Sequence, residues 1–273
     1  MSWLRAPGAD DDKRSMGVLG VVTGSDRYPG AAVLGVEAAW RTGVGTVRLW
    51  APRRVQDLVL ARRPETVCHE LDEPVHPVSA WLLGSGQDAR ERDPRLRGLL
   101  LDALGSGAPC AVDAGALDLV GRAAGRAVAT PHASELSRVL RALGRDLDAD
   151  AVRADPAAAA SDAAAALDAV VLLKGATTHV AAPGASVEAV ASTTHRLAVA
   201  GSGDVLGGLL GAALAVTAGA SGRLDLSAIA ALAAEAARRH AAAAALASRG
   251  DGHGAADRPI AALDIAERLR DVV

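Results

Sequence analysis

The stretch Ala200-Gly201-Ser202-Gly203-Asp204-Val205-Leu206-Gly207-Gly208-Leu209 is the one on which the fold of this 273-residue chain depends. Its small residues precede one carboxylate, and an Ala- and Gly-rich apolar run then continues at helical spacing to about Ala218. The pattern predicts a tight turn that leads into the N-terminus of a buried helix. Unpaired N–H groups in the first turn and the helix dipole make such a terminus an anion site.

Asp204 is unusual at an anion site, because a carboxylate repels phosphate. One interpretation is a base that takes a proton from an attacking hydroxyl group. The other is a helix cap, a role that Asp fills well. The stretch is neither a Walker A loop nor a dinucleotide fingerprint, because it lacks the lysine spacing of the first and does not follow the first strand of the chain.

Working outward, the chain alternates apolar runs with helical patterns. Two apolar runs, Gly17–Thr23 and Gly45–Trp50, flank a helical pattern at Ala31–Thr42, which predicts a βαβ unit and a parallel sheet. Further strands are predicted at Glu65–Leu71, Ala80–Gly84, Pro109–Asp113, Ala127–Thr130 and Val170–Leu173, and a hairpin at Thr177–Ala182 and Val187–Ala191. Further helices are predicted at Leu96–Leu104, Ser134–Leu143, Asp150–Leu167, Val205–Ala218, Ser227–Ala247 and Pro259–Leu269. We expect one α/β domain over residues 15–273 and a flexible leader over residues 1–14.

Composition limits the classes of function. Half of the residues are apolar, yet aromatics make up 2% and Phe is absent, so the core must consist of Ala, Val and Leu. The net charge of −3, with both signs spread along the chain, argues against nucleic acid or an anionic membrane as a partner. Cys68 and Cys110 are expected as free thiols in a reducing compartment. No secretory signal is recognised, and the apolar run Leu209–Ala220 is judged too short and Gly-rich for a membrane span, so a cytoplasmic protein is expected.

Polar and glycine residues follow five of the apolar runs. They are Gly24-Ser25, Gly84-Ser85-Gly86, Asp113, Thr130-Pro131-His132 and Lys174-Gly175. In open α/β sheets, ligands bind outside the carboxyl ends of the strands. We therefore expect these loops to converge with Gly201–Asp204 on one site.

Each polar residue has an alternative, purely structural role. Lys174 either pairs with phosphate or is a surface lysine, and Asp113 either binds magnesium through water or serves a turn. For His132 and Glu135, a place at a helix start is favoured over substrate binding on these grounds alone. The hydroxyls of Thr177 and Thr178 either bind a ligand or reflect β-propensity. No residue is predicted to ligate a metal directly, because the seven histidines show no zinc-ligand spacing.

Five segments together resemble the ribokinase-like NAD(P)H-hydrate dehydratases, and the resemblance runs from Lys13 to about Leu269. They are GVLGVVTGSDRYPGAAVLGVEAAWRTGVGTVRL (17–49), LLGSGQD (82–88), AVDAGAL with ATPHASELSRVL (111–117 and 129–140), VVLLKGATT (170–178) and AGSGDVLGGLLGAALA (200–215). The resemblance implies a three-layer α/β/α fold with a mostly parallel central sheet. Two segments depart from the family pattern: Gly84–Asp88 replaces a GPGLG-type loop, and residues 193–199 lack a Gly/Pro-rich lead-in.

The resemblance also implies roles for particular residues. Asp204 would be the catalytic base, with Gly201 and Gly203 in the anion hole. The substrate-binding residues would be Ala31, Gly84, Gly86, His132, Glu135 and Asp204. The nucleotide-binding residues would be Lys174, Gly175, Ala176, Thr177, Thr178 and Gly203.

The implied reaction is ADP- or ATP-dependent dehydration of the S epimer of hydrated NADH or NADPH, with Mg²⁺ bridging the nucleotide phosphates. The resemblance further implies a homo-oligomer, a tetramer by family habit, and an NAD(P)H-hydrate epimerase on a separate chain. Two alternatives stay open at this point. One is a kinase of the same superfamily that acts on a vitamin precursor or sugar alcohol, and the other is a nucleotide-binding module without catalysis.

Overall fold

A computed structural model describes residues 6–192, 194–249 and 258–273, and these residues build a nine-stranded sheet with helices on both faces. The strands are β1 (Val18–Val22), β2 (Thr46–Trp50), β3 (Val67–His69), β4 (Ala80–Leu83), β5 (Cys110–Val112), β6 (Ala127–Ala129), β7 (Val170–Leu173), β8 (Thr177–Ala181) and β9 (Glu188–Ala191). The α-helices are α1 (Gly30–Arg41), α2 (Arg53–Arg62), α3 (Pro94–Gly105), α4 (Ala133–Ala142), α5 (Ala149–Ala154), α6 (Pro156–Leu167), α7 (Ser202–Ser221), α8 (Leu226–Ser248) and α9 (Ala262–Arg268). Two 3₁₀ helices span Ala114–Ala123 and Leu269–Asp271.

The sheet has the strand order β3-β2-β1-β4-β5-β6-β7-β8-β9. Strands β1 to β7 pair in parallel with one another, whereas β7 with β8 and β8 with β9 pair antiparallel. The predicted hairpin at the end of the sheet is therefore confirmed, as is the mostly parallel sheet. Because all seven parallel strands end at the same edge, the loops after β1, β4, β5, β6 and β7 are neighbours in space.

Two apolar cores cover the two faces of the sheet, which confirms the three-layer arrangement. Helices α1, α2, α7, α8 and α9 contribute to one core, and α3, α4, α5, α6 and the longer 3₁₀ helix contribute to the other. As the composition predicts, both cores consist mainly of Ala, Val and Leu. Trp50 and Trp81 are the largest fully buried side chains, and both belong to the second core.

Helices α1 and α7 lie against each other almost backbone to backbone. A Cβ atom added to Gly208 would lie 2.1 Å from the carbonyl oxygen of Gly35 and 2.9 Å from Cβ of Ala38. No side chain larger than hydrogen fits there without separating the helices. This contact fixes the position of α7, which carries Asp204 in its first turn.

Several predicted bounds are wrong for identifiable reasons. The single helix predicted at Asp150–Leu167 is two helices, because Asp155 ends α5 and caps α6, whose first residue is Pro156. Helix α7 begins three residues before the predicted start. Helix α2 was not predicted, and its terminal Arg62 joins Arg41 and Arg63 around the fully buried carboxylate of Glu37.

Residues 1–5 lie outside the described residues, whereas residues 8–16 form turns held by Asp11 and Asp12. A flexible leader therefore stays a prediction, as does the single-domain boundary at residue 15.

The apolar run Leu209–Ala220 belongs to a longer helix than the sequence predicted. The argument that this run is too short for a membrane span is wrong, because α7 has 20 residues and is apolar enough to cross a membrane. Its most apolar window is 67% buried inside the protein, as a core helix would be.

We predict that Gly208→Ala destabilises the protein by about 1–3 kcal/mol, because the added methyl group forces α1 and α7 apart. The midpoint of urea unfolding, followed by circular dichroism, measures this. The matched control is Gly98→Ala in α3, where nothing lies within 4 Å of the added Cβ. The control should be neutral or more stable by up to about 1 kcal/mol, because Ala favours helix. Equal stability of the two variants would contradict the close contact.

Candidate active site

Asp113 lies at the centre of the carboxyl edge of the sheet, directly after β5, and is 4% exposed. Its Oδ1 accepts hydrogen bonds from Thr130 Oγ1 and from Lys174 Nζ, both at 2.8 Å. Its Oδ2 accepts a hydrogen bond from Ser85 Oγ at 3.1 Å. The donors come from the loops after β4, β6 and β7. Asp113 is therefore the common partner of three strand-end loops and is more than a turn residue.

Lys174 connects this centre to helix α7. Its Nζ lies 4.0 Å from Glu135 Oε2 and 3.3 Å from the position that a Cβ of Gly203 would occupy. Burial lowers the pKa of the Lys174 ammonium, but the carboxylates of Asp113 and Glu135 raise it more, so the pKa is raised and the group is charged. The surface-lysine interpretation is therefore wrong, because only 22% of the side chain is exposed.

Asp204 lies in the first turn of α7, and Gly201 with φ +86° occupies the cap position before it. The interpretation of Asp204 as the helix cap is therefore wrong. Burial raises the pKa of the Asp204 carboxyl to about 7, the negative charge of Asp113 adds to the increase, and Lys174 opposes it. Among the described residues, none donates a hydrogen bond to this carboxylate. A half-buried carboxyl that titrates near neutral pH beside a lysine is suited to proton transfer.

His132 and Glu135 form a capping box at the start of α4. The backbone N–H of His132 donates to Glu135 Oε2 at 2.8 Å, and the backbone N–H of Glu135 donates to His132 Nδ1 at 3.3 Å. The favoured helix-start interpretation is confirmed for both residues. The same Glu135 oxygen lies 4.0 Å from Lys174 Nζ. Glu135 therefore forms one cluster with Asp113, Lys174 and Asp204, which is called the charged centre below. The predicted contact of both residues with substrate stays a prediction.

The Gly84–Asp88 loop, which departs from the family pattern, packs against the loop between β1 and α1. A Cβ on Gly86 would lie 2.5 Å from Cβ of Ala31, so only glycine allows this approach. The backbone N–H of Gly24 donates to the carbonyl of Ser85 at 2.7 Å, and Ser25 Oγ donates to the carbonyl of Gly86 at 2.8 Å. Two predicted substrate residues, Ala31 and Gly86, are thus direct neighbours.

The other predicted site residues are at the same edge of the sheet. Gly84 follows β4 with φ +98°, and a Cβ there would lie 2.2 Å from the carbonyl oxygen of Asp113. Gly175 and Ala176 are exposed in the turn between β7 and β8, and Thr177 and Thr178 begin β8. Of the predicted nucleotide-binding residues, Lys174 and Gly203 are the ones that the structure brings together. The roles of the rest stay predictions.

A groove of about 440 Å³ opens beside Glu135. Its walls include apolar side chains, such as Leu117 and Leu143, and the cationic side chains of Arg90 and Arg138. Pockets of this size and mixed lining are typical of small-molecule sites. Glu135 is the member of the charged centre that lines this groove, and its volume leaves space for a ligand longer than a single ring system.

One buried residue near the site was missed from the sequence. His240 of α8 is 5% exposed and contacts the backbone of Ser202 in the first turn of α7. Burial lowers the pKa of the His240 imidazole to about 4, and the hydrogen bond with Ser202 only partly opposes this, so the ring is neutral at pH 7. The only signal in the sequence is one histidine within an Ala-rich helix. Ser85 and Thr130 were placed near the site, but their bonds to Asp113 were not predicted.

Comparison with known proteins identifies the family of the chain. A profile of the NAD(P)H-hydrate dehydratase family matches residues 19–265. The ADP-dependent (S)-NAD(P)H-hydrate dehydratase of Neisseria meningitidis is 34% identical over 227 residues, which cover 78% of this chain and 74% of that protein. The bifunctional NAD(P)H-hydrate repair enzyme Nnr of Mycobacterium tuberculosis is 39% identical over 216 residues, and the chain covers only 43% of its length.

Solved structures agree with these relatives. The ADP/ATP-dependent NAD(P)H-hydrate dehydratase of Bacillus subtilis, co-crystallised with ATP/Mg²⁺, superposes with a TM-score of 0.79 at 26% identity and covers 98% of this chain and 93% of that one. A ribokinase-like superfamily protein of Enterococcus faecalis, 19% identical with a TM-score of 0.77, covers 97% of this chain and 89% of that one and shows the shared fold. From its sequence, its fold and the match over residues 19–265, the chain belongs to the NAD(P)H-hydrate dehydratase family.

Proposed function

We propose that the protein dehydrates the S epimer of hydrated NADH or NADPH, with ADP or ATP as the phosphoryl donor. The observation that carries the proposal is the position of Asp204, a half-buried carboxyl with a pKa of about 7, in the first turn of α7 beside Lys174. Family membership supports the choice of substrate, because the named relatives are NAD(P)H-hydrate dehydratases and repair enzymes.

The first step is phosphoryl transfer to the C6 hydroxyl of the hydrated nicotinamide ring. Asp204 accepts the hydroxyl proton while the oxygen attacks the terminal phosphorus of the nucleotide, and the bond from that phosphorus to the bridging oxygen breaks. AMP or ADP leaves. Positioning and charge stabilisation supply most of the rate enhancement in such reactions.

The first turn of α7 supplies the charge stabilisation. The backbone N–H of Ser202 donates to the carbonyl of Val199 at 3.3 Å, so the N–H groups of Gly203 and Asp204 are the first-turn donors that remain for an anion. Each well-placed donor of this kind contributes about 3–4 kcal/mol to transition-state stabilisation. Lys174 adds a positive charge on the same side, 3.3 Å from the Cβ position of Gly203. Its bond to Asp113 holds the ammonium in place.

The second step is elimination of phosphate, which completes the dehydration. The lone pair of the ring nitrogen expels the phosphate from C6, and loss of the C5 proton restores the double bond. The products are NADH or NADPH and inorganic phosphate. The hydroxyl oxygen leaves with the phosphate, so the net change is loss of water coupled to nucleotide hydrolysis.

The charged centre fits Mg²⁺ as the companion of the nucleotide. Three carboxylates, of Asp113, Glu135 and Asp204, surround the single ammonium of Lys174. Mg²⁺ takes oxygen ligands and keeps several waters, so carboxylates and phosphates together suit it. Both oxygens of Asp113 are already bonded, and Glu135 Oε2 accepts a hydrogen bond from the His132 N–H. Glu135 Oε1 and the carboxylate of Asp204 are therefore the groups that would hold the ion through water. When bound, it neutralises charge on the nucleotide phosphates.

Two further properties rest on the family resemblance alone. A homo-oligomer, a tetramer by family habit, and a separate NAD(P)H-hydrate epimerase as functional partner are part of the proposal. The relatives named bifunctional repair enzymes agree with a coupling of the two activities. A cytoplasmic location also stays a prediction.

We predict that the protein restores absorbance at the NADH band when hydrated NADH, ADP or ATP, and magnesium are present together. Restoration should stop when either the nucleotide or the magnesium is left out. Nucleotide consumption with a vitamin precursor or sugar alcohol, and no return of NADH, would instead support the plain kinase. Binding of nucleotide with neither reaction would support the non-catalytic module. Running ADP and ATP separately identifies the donor.

We predict that Asp204→Asn abolishes turnover and leaves nucleotide binding nearly intact, because the amide keeps the shape of the side chain but cannot accept the proton. Steady-state kinetics and nucleotide titration measure the two effects. The control is Asp102→Asn, on the exposed surface of α3, which should match the unaltered protein. Substantial turnover by Asp204→Asn would show that another group is the base.

We predict that kcat rises with pH through an apparent pKa near 7, because Asp204 acts as a base only when ionised. The folded protein holds this proton more tightly than the unfolded chain, whose Asp pKa is 3.8. The contribution of this group to the free energy of unfolding therefore decreases as the pH rises from about 4 to about 7. Relative to Asp204→Asn, the unaltered protein should become less stable over that range in urea unfolding. A parallel pH dependence of the two proteins would contradict the shift.

A further inference from the structure

The structure gathers two histidines and a glutamate away from the active site, in the segment between β3 and β4. His69 is the last residue of β3, and Glu73 and His76 follow in the connection. One ligand atom from each of the three lies within 4.8 Å of the others. The H-x3-E-x2-H spacing resembles no common zinc motif, which is why the sequence did not predict a site here. Folding of the loop onto the strand end creates it.

The imidazole of His69 is held before any ligand binds. It stacks on Trp50 of β2, with ring centroids 4.5 Å apart and planes 19° apart. The backbone carbonyl of His69 accepts a hydrogen bond from Gln56 Nε2 at 3.0 Å, so the strand end is fixed as well. The residue is 9% exposed, and its Nε2 has no hydrogen-bond partner among the described residues. Stacking, and not a second hydrogen bond, therefore orients the ring.

The other two ligands approach the same ring from the loop. Glu73 Oε2 lies 3.0 Å from His69 Nδ1, and the His76 ring centroid lies 4.9 Å from that of His69. Two atoms that share a tetrahedral zinc ion lie roughly 3.4 Å apart, as the usual metal–ligand distances require. The Glu73 side chain is 44% exposed, so it can turn toward an ion without displacing core residues.

The chemistry of the donors selects the class of metal. Two imidazoles and one carboxylate suit zinc and similar transition-metal ions, whereas Mg²⁺ and Ca²⁺ prefer oxygen ligands alone. His76 also lines a cavity of about 750 Å³, so one of the three ligands borders space that an ion can enter. Three protein ligands leave a fourth position for water.

We propose that His69, Glu73 and His76 form a binding site for one zinc-class divalent ion, separate from the magnesium that accompanies the nucleotide. The ion would tie the connection between β3 and β4 to the end of β3. The proposal does not depend on the proposed reaction, because none of the three residues belongs to the charged centre around Asp113.

The test uses untagged protein treated with a chelator and then dialysed, with no nucleotide present. Isothermal titration with Zn²⁺ measures stoichiometry and affinity, and Co²⁺ serves as a spectroscopic probe. The variants are His76→Ala and Glu73→Gln, both in the loop, with Asp72→Asn as the matched control because Asp72 is the exposed neighbouring carboxylate. Circular dichroism checks that each variant folds.

We expect one Zn²⁺ per chain and a visible d–d band with Co²⁺ of tetrahedral intensity. His76→Ala and Glu73→Gln should each weaken Zn²⁺ binding by at least about tenfold, the lower bound seen even for lost outer-shell partners of a metal. Asp72→Asn should bind as the unaltered protein does. Absence of stoichiometric binding, or equal binding by His76→Ala and Asp72→Asn, would overturn the proposal, and the His69–Glu73 contact would then be a hydrogen bond only.

Discussion

The buried carboxylate of Asp113 is the interaction on which the active edge depends. Hydroxyl groups from two strand-end loops and the ammonium of Lys174 from a third loop all bond to it. Removing one member of a buried, hydrogen-bonded ion pair commonly lowers the stability of a protein by about 3–5 kcal/mol, because the other charge is left unpaired. The arrangement therefore holds the loops in one geometry and also keeps Lys174 pointed at the first turn of α7.

The same carboxylate influences the chemistry at a second residue. Asp204 lies in the field of Asp113 and has no hydrogen-bond donor among the described residues, so its charged form is disfavoured. Lys174 limits this effect, because its ammonium attracts the carboxylates of both acids. The balance places the Asp204 pKa near the pH at which a general base is most effective. Structure and reactivity at this edge thus depend on one ion pair.

The sequence was sufficient to predict the order of elements and the loops that meet at the site. Apolar runs that end in Gly, Ser, Asp or Lys mark the carboxyl ends of parallel strands, and parallel strands must bring those ends together. The sequence could not show which partner each side chain selects. Asp113 and Lys174 are 61 residues apart, and no periodicity links them. His240 was missed because a single histidine in an Ala-rich helix carries no pattern, and the break at Asp155-Pro156 was missed because Ala on both sides favours helix.

The backbone contact between Gly35 and Gly208 has a consequence for the size of substrate that the site admits. Ala31 is the second residue of α1, on one side of this contact, and Asp204 lies one turn before Gly208 on the other. Two backbones in direct contact cannot slide or separate as long side chains can by changing rotamers. The spacing between Ala31 and Asp204 is therefore constant, and a larger substrate must be accommodated by the loops after the strands. Changes in substrate specificity should arise in those loops, while the two helices keep Ala31 and Asp204 at a constant distance.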